Sequence, residues 1–395
     1  MQGKVRVGRD AKEDLIVELA PAPGPSEIQL ESSVATFYGS RIREVVRQTL
    51  AALGRESGAA LSIRDRGALD WVIQARVEAA VHLAFPEQSG REALPALLDG
   101  ARFEVPRDRM RRSRLYLPGD QPDLMVNAGL FGPDGVILDL EDAVAPPQKL
   151  AARYLVRNAL RAVDFGRAER MVRINQLPRG LEDLPAVVTQ PVHTILVPKA
   201  ERGADVIAVA ARIRELTERT IWLMPILESA LGIENAYAIA AADETVAALA
   251  FGAEDFTRDI GAARTDEGRE SFVARSRVVL AARAAGVQPI DTVYSDVGNE
   301  AGLIAATREA IGLGFDGKGC IHPRQVRTIH EAFRPSDKEV AYARKVRRAM
   351  AEAEQRGDGV ISIGSKMIDP PVVARALRVL GLAEFYGIPL EEVSR

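Results

Sequence analysis

From Ser113 onward, short apolar runs alternate with stretches whose apolar residues recur every three or four positions. The runs are RLYLP (114–118), GVILDLED (135–142), MVRIN (171–175), TILVPKA (194–200), IWLMPILES (221–229), VAALAFG (246–252), QPIDTVYSD (288–296) and GKGCIHP (317–323). This rhythm predicts eight strand–helix repeats, an α/β chain folded as a TIM (β/α)8 barrel; a doubly wound sheet would use fewer strands. The region before it reads differently. An alternating segment at Leu15–Ala20 is followed by the Pro-rich turn PAPGPSE, then a helix over 36–53 that stops at Gly54. A short strand at 60–63, the turn Arg64-Asp65-Arg66-Gly67 and a second helix over 71–85 complete a small N-terminal α+β domain. Residues 86–107 read as a connector. The expected division is a domain at 1–95, a linker at 96–107, the barrel at 108–335 and a helical extension at 336–395.

Several predicted strands are apolar where they begin and polar where they end. Glu141 and Asp142, Arg173 and Asn175, Lys199, Glu228, Glu254 and Asp255, Asp296 and His322 all fall at such ends. Barrel chemistry is built at the C-terminal ends of strands, and charges gathered there must be paired or serve a ligand. The plainer alternative is that they solvate the rim.

Glu228 and Asp255 end consecutive strands, in PILESALG and FGAEDFTRDIG, so their carboxylates should be neighbours. Two carboxylates with water suit Mg²⁺, which keeps several waters. Zinc would call for grouped histidine or cysteine, but His82, His193, His322 and His330 show no paired spacing. The competing reading is that Glu228 caps a helix and Asp255 pairs with Arg258. Arg173 could hold a substrate carboxylate or thioester oxygen in its planar fork. Asp139 and Glu141 share strand parity and should face inward, Asp139 with Glu228 as further substrate contacts. Glu141 and Asp142 could hold a metal's waters. Lys199 either binds an anion or pairs with Glu141.

Composition narrows the partners. Lys and Arg number 52 against 55 Asp and Glu, a net charge of −3, which gives no reason to expect nucleic acid. The densest basic run, Arg107 to Arg114, reads as a solvated linker. The chain has no uninterrupted apolar window long enough for a membrane span and no apolar leader segment near Met1. A single cysteine, Cys320, suits a reducing compartment, so a cytoplasmic location is expected. Gly312 to Gly319 has the look of a phosphate loop, but a helix precedes it and a strand follows, the reverse of what anion binding at a helix N-terminus needs. Cys320 and His322 are expected to be packed barrel residues, and no GxSxG elbow is present.

At these residues the chain resembles a known family. RSRLYLPGDQPDLM, GVILDLEDAVAPPQK, MVRIN, LVPKAE, ILESALGIENA, FGAEDFTRDIG, GFDGKGCIHPRQV and GSKMIDPPVV follow in the order seen in the citrate lyase beta subunit and the malyl- and citramalyl-CoA lyases. The resemblance spans about 108–375. It implies a TIM barrel, usually trimeric, using Mg²⁺ to cleave a 3-hydroxyacyl-CoA thioester. The products would be an acetyl-type thioester and a keto acid such as oxaloacetate, glyoxylate or pyruvate. By position, Glu228 and Asp255 match the metal ligands and Arg173 the substrate arginine. Asp369, in the extension, matches an aspartate delivered to a neighbouring subunit's active site. Within residues 1–95, ESSVATFYGSRIREVVRQTLAAL and IRDRGALDWVIQARVEAAV resemble the citrate lyase acyl carrier (gamma) subunit, which implies other citrate lyase-like subunits as partners. Where that family attaches its prosthetic arm to a serine, this chain has Ala11-Lys12-Glu13-Asp14. Ser26, Ser32 and Ser33 lie beyond the first strand expected from the sequence. The carrier-like domain is therefore expected to have lost its arm, and the lyase to act on free acyl-CoA.

Overall fold

A computed structural model describes residues 3–265, 267–356, 361–363 and 366–390. The chain divides into two compact units, Met1–Ile329 and His330–Arg395.

The first unit begins with a four-stranded sheet of β1 (Val5–Gly8), β2 (Leu15–Pro25), β3 (Glu27–Ser32) and β4 (Ser57–Asp65), ordered β1-β2-β4-β3. β3 runs parallel to β4, and the other pairs are antiparallel. The helices α1 (Ala35–Ala52) and α2 (Asp70–Ala84) correspond to the two amphipathic stretches. Two features differ from expectation. β1 and β3 carry too few buried positions to stand out in sequence. The PAPGPSE segment is mostly strand: β1 leaves β2 beyond Leu19 unpaired on one side, where proline's missing N–H costs little.

The barrel follows as β5 (Ser113–Pro118), β6 (Gly135–Asp139), β7 (Glu169–Arg173), β8 (Thr194–Val197), β9 (Trp222–Leu227), β10 (Ala248–Phe251), β11 (Gln288–Val293) and β12 (Gly317–Cys320). All pairings are parallel and the sheet closes between β12 and β5. Alternation sorts the side chains. Ile137, Met171, Leu196, Met224, Ile226, Ala248, Ala250 and Ile290 form one apolar cluster. Two residues further along their strands stand Asp139, Arg173 and Glu228. An apolar plug below and charge above is thus a direct consequence of strand parity.

The basic run before β5 is not a solvated linker. Arg111 and Arg112 are buried. Arg111 donates to both oxygens of Glu169 at 2.8 and 3.0 Å, and Arg112 makes a two-pronged bond to Asp134 at 2.8 and 2.7 Å. Their partners lie 58 and 22 residues away, so nothing local in the sequence announces them. The connector is also packed. Phe103 stacks on His193 with ring centroids 4.4 Å apart, and Trp222 Nε1–H donates to Val105 O at 2.7 Å. α2 lies against the barrel helix Lys149–Ala162, where buried Arg157 donates to both Glu78 oxygens at 2.7 Å. The N-terminal sheet and the barrel form one compact body.

The second unit contains the helix Asp337–Arg356, a hairpin of β13 (Ile361–Ile363) and β14 (Lys366–Ile368), and the helix Pro370–Phe385. Ala343, Val346, Ile368, Ala376 and Leu380 make its core. The hairpin was not expected in a helical extension. Gly364 and Ser365, the start of the GSKMID motif, lie outside the described residues. Among the described residues, no helix is long and apolar enough to cross a membrane.

Candidate active site

Glu228 follows the last residue of β9, one strand step above Ile226, and so turns inward over the apolar plug. Its Oε1 accepts the backbone N–H of Lys199 at 2.7 Å. Lys199 holds a left-handed backbone with φ of 49°, an uncommon conformation for a non-glycine residue and one that clusters at functional sites. The other side of Glu228 rests on Gly252, where an added Cβ would come within 2.5 Å of Oε2. Glu228 does not cap the following helix; Ser229 does, accepting from Gly232 N–H at 3.1 Å.

A cavity of about 370 Å³ opens at this end of the barrel, and Glu228, Asp255, Asp139, Asp142 and Arg173 all line it. Asp255 stands in the first turn of the helix Ala253–Asp259. It pairs with Arg258 at 2.5 Å, as the plainer reading of the sequence expected, and also lies 3.9 Å from Lys199 Nζ. Burial, reinforced by the like charges of Glu141 and Asp255, pushes the Glu228 carboxyl up to about 8. A cation beside Glu228 would offset this like-charge repulsion. Among the described residues no three His, Cys, Asp or Glu side chains form a cage, so the donor set fits an ion that keeps several waters, as Mg²⁺ does.

Beside this pair, Arg173 donates to both Asp139 oxygens at 2.7 and 2.6 Å. Its Nη1 lies 2.9 Å from Glu141 Oε2, an ion pair without an aligned hydrogen bond. Burial opposes the Arg173 charge, but Asp139 and Glu141 hold its pKa well above the usual value. The guanidinium also lies over the Tyr116 ring, 5.3 Å from its centroid. Lys199 Nζ bonds Glu141 Oε1 at 2.5 Å and Asp142 Oδ2 at 3.1 Å. Of its two readings, the salt bridge is the one formed. Glu141 is buried, which raises its pKa against the pull of Arg173 and Lys199. Asp142 stands at the rim, its side chain 59% exposed.

Not every strand end converges. Asn175 donates to Asp183 at 2.8 Å. Asp296 is exposed and accepts from Gly298 N–H in its own loop. Glu254 touches the cavity but is engaged by Arg264. Cys320 is buried, and burial pushes its thiol up to about 12, whereas His322 is only half-buried in the loop beyond β12, where Nδ1 accepts from Arg324 N–H. Asp369 is exposed at the start of the helix Pro370–Phe385 in the second unit. The glycine run behaves as a helix stop: Gly314 takes φ of 104° just after the helix Glu300–Leu313.

Residues 112–323 match the HpcH/HpaI aldolase/citrate lyase family. The chain belongs to that family. Residues 2–84 match the acyl-carrier family described as malonate decarboxylase delta subunit. Among curated relatives of the family, the citrate lyase subunit beta of Leuconostoc mesenteroides subsp. cremoris is 40% identical over 284 residues, covering 70% of this chain and 94% of its own. The human mitochondrial citramalyl-CoA lyase is 33% identical over 293 residues, covering 69% and 85%. A crystal structure of CitE from Mycobacterium tuberculosis in complex with magnesium, acetoacetate and coenzyme A is 34% identical, with a TM-score of 0.58 over 70% of this chain and 98% of that one.

Arg114 and Tyr116 are among the cavity residues that escaped the sequence reading. Tyr116 is hidden in an apolar run, and Arg114 looks like one more member of the basic run. Yet Arg114, Tyr116 and Pro118 share strand parity, and all three line the cavity. The usable signal was an arginine one residue inside a strand, on its inward face.

Proposed function

We propose that this chain is a Mg²⁺-dependent carbon–carbon lyase that cleaves a 3-hydroxyacyl-CoA thioester into an acetyl-type thioester and an α-keto acid. The observation that carries this reading is the buried Glu228, facing Glu141 and Asp255 at the mouth of a barrel cavity beside Arg173. Magnesium and coenzyme A in the CitE structure, and the named activity of the human relative, support the same chemistry.

Glu228 and Asp255 would hold the ion. A bound Mg²⁺ would lower the pKa of the substrate hydroxyl and favour its conversion to the keto group. Asp139 and Glu141 fix the plane of the Arg173 guanidinium before substrate arrives, and donors set in advance stabilise developing negative charge most effectively. Lys199 holds Glu141 and Asp142 in place and presents its N–H to Glu228. As the C–C bond breaks, the electron pair passes to the thioester fragment as an enolate, whose carbon must gain a proton. Asp369, supplied by a neighbouring copy in an oligomer such as a trimer, is the proposed acid.

The carrier-like domain is proposed to work without an arm. Lys12 carries no hydroxyl, and two of the nearest serines are engaged: Ser26 donates to Arg55 O at 2.8 Å and Ser32 to Asp65 Oδ2 at 2.6 Å. Free acyl-CoA would then be the substrate, in the cytoplasm. Activity that appears only with an added carrier chain would instead make the chain a subunit of a citrate lyase-like complex.

The test is turnover of citryl-, malyl- and citramalyl-CoA with Mg²⁺, following released keto acid. Wild type should cleave at least one of the three. Glu228→Ala and Asp255→Ala should each abolish metal-dependent cleavage with an unchanged circular dichroism spectrum. Near-normal activity in either variant would remove the metal assignment.

A further inference from the structure

The cavity does not end at the carboxylates. It runs down β5 past Pro118 and Tyr116 to Arg114; Arg173 lies over the Tyr116 ring, and Arg114 is one inward-facing step, about 7 Å of strand, below Tyr116. Small residues, Ala250 on β10 and Gly319 on β12, the strand that pairs with β5, leave this space open.

Arg114 is 1% exposed. Arg111, Arg112, Arg157 and Arg275 each pair with a carboxylate, whereas among the described residues the buried Arg114 and Arg170 pair with none, and of these two only Arg114 lines the cavity. Nη1 points at Met224 Sδ, 3.1 Å away, and Nη2 reaches the main-chain oxygen of Asp291 at 3.3 Å. Nε is buried with no hydrogen-bond partner. The carboxylate of Asp291 is already taken, by Arg275 at 3.0 Å and by Lys318 at 2.7 Å. A fork of donors buried without an anion is costly, and burial lowers the Arg114 pKa accordingly. Apolar residues would fill a barrel interior at less cost. A guanidinium lining a cavity suits a planar, doubly accepting anion, and a carboxylate has that shape.

We propose that Arg114 binds a second carboxylate on the acid portion of the substrate, so that the site selects dicarboxylic keto acids over monocarboxylic ones. This rests on the lyase reading above. The ion and Arg173 take the end of the keto acid nearest the reacting bond, and Arg114 takes the far end. Citryl-type thioesters, which release oxaloacetate, are then preferred over citramalyl- and malyl-type thioesters, whose keto acids carry no second carboxylate.

Binding of oxaloacetate and of pyruvate to the full chain, each with saturating Mg²⁺, is measured by titration calorimetry. Wild type should bind oxaloacetate tighter by about 10- to 100-fold, the return on charge-assisted hydrogen bonds to one carboxylate. Arg114→Met, close in length and apolar, should lose that preference while pyruvate binding stays within about threefold, less than the roughly 1.4 kcal/mol that a tenfold change represents. Arg114→Lys should keep part of it. Equal affinities in wild type, or a preference that survives in Arg114→Met, overturns the assignment and leaves the lyase reading intact. If wild type binds neither keto acid, both fall. Should Arg114→Met fail to fold, the wild-type and Arg114→Lys titrations still decide.

Discussion

Glu228 touches both a strained backbone and a glycine. The left-handed turn at Lys199 aims an N–H at one oxygen, and Gly252 leaves room for the other. A Cβ at position 252 would also meet Glu228 Cβ at 2.9 Å, so rotating the carboxylate alone would not relieve the clash. Gly252→Ala should therefore displace the proposed metal ligand without disturbing the barrel. We expect the Mg²⁺ concentration needed for half-maximal activity to rise by about 10- to 100-fold, the range seen when the shell around a ligand is disturbed. Titrating activity against Mg²⁺ in wild type and variant measures it. An unchanged midpoint would show that Gly252 does not position Glu228.

The strands place the chemistry, but the connector and the barrel floor hold the strands. His193 stands immediately before β8, where its Nδ1 faces the N–H of Arg170 at 2.9 Å and must accept. Nε2 then carries the proton and donates to Phe103 O at 3.1 Å. Burial, with Arg170 nearby, lowers the His193 pKa to about 3. A histidine held neutral in the fold contributes stability above its unfolded pKa near 6.5, and that stability is lost as pH falls toward the folded value. His193→Asn, which does not titrate, should be less stable than wild type at neutral pH. Its deficit should shrink by about 2–3 kcal/mol between pH 7 and pH 4. Urea unfolding at the two pH values reads this directly, and a constant deficit would show that His193 does not stay neutral.

Across the molecule, the carrier-like domain is bound to the barrel as part of its body. Arg157 and Glu78 join α2 to the helix Lys149–Ala162 in full burial, and Arg76 on α2 spans from Asp14 in the sheet domain to the main chain at Asp120. Removing one partner of such a pair strands a buried charge. Arg157→Met should cost about 3–5 kcal/mol. Calorimetry should show the sheet domain and the barrel melting in one transition that moves down together in the variant. Separate transitions in wild type would mean that the two parts fold independently. A domain built in this rigidly is suited to a structural task, in keeping with the proposal that it works without an arm.

Periodicity carried the barrel into view. Each of the eight strands overlaps one of the runs, because strands buried on both faces are mostly apolar and the helices between them amphipathic. The same alternation placed Asp139, Glu141, Arg173 and Glu228 on one inward face, since parity is a local property of the chain. Partners are not local. Whether Arg111 is solvated or sealed against Glu169, whether Asp296 turns in or out, and whether Arg114 meets an acid or lines a cavity depend on residues brought together only by closure of the sheet. Strand composition therefore told where charge gathers, while closure of the barrel settled which charges meet an opposite charge within the fold and which line the cavity instead.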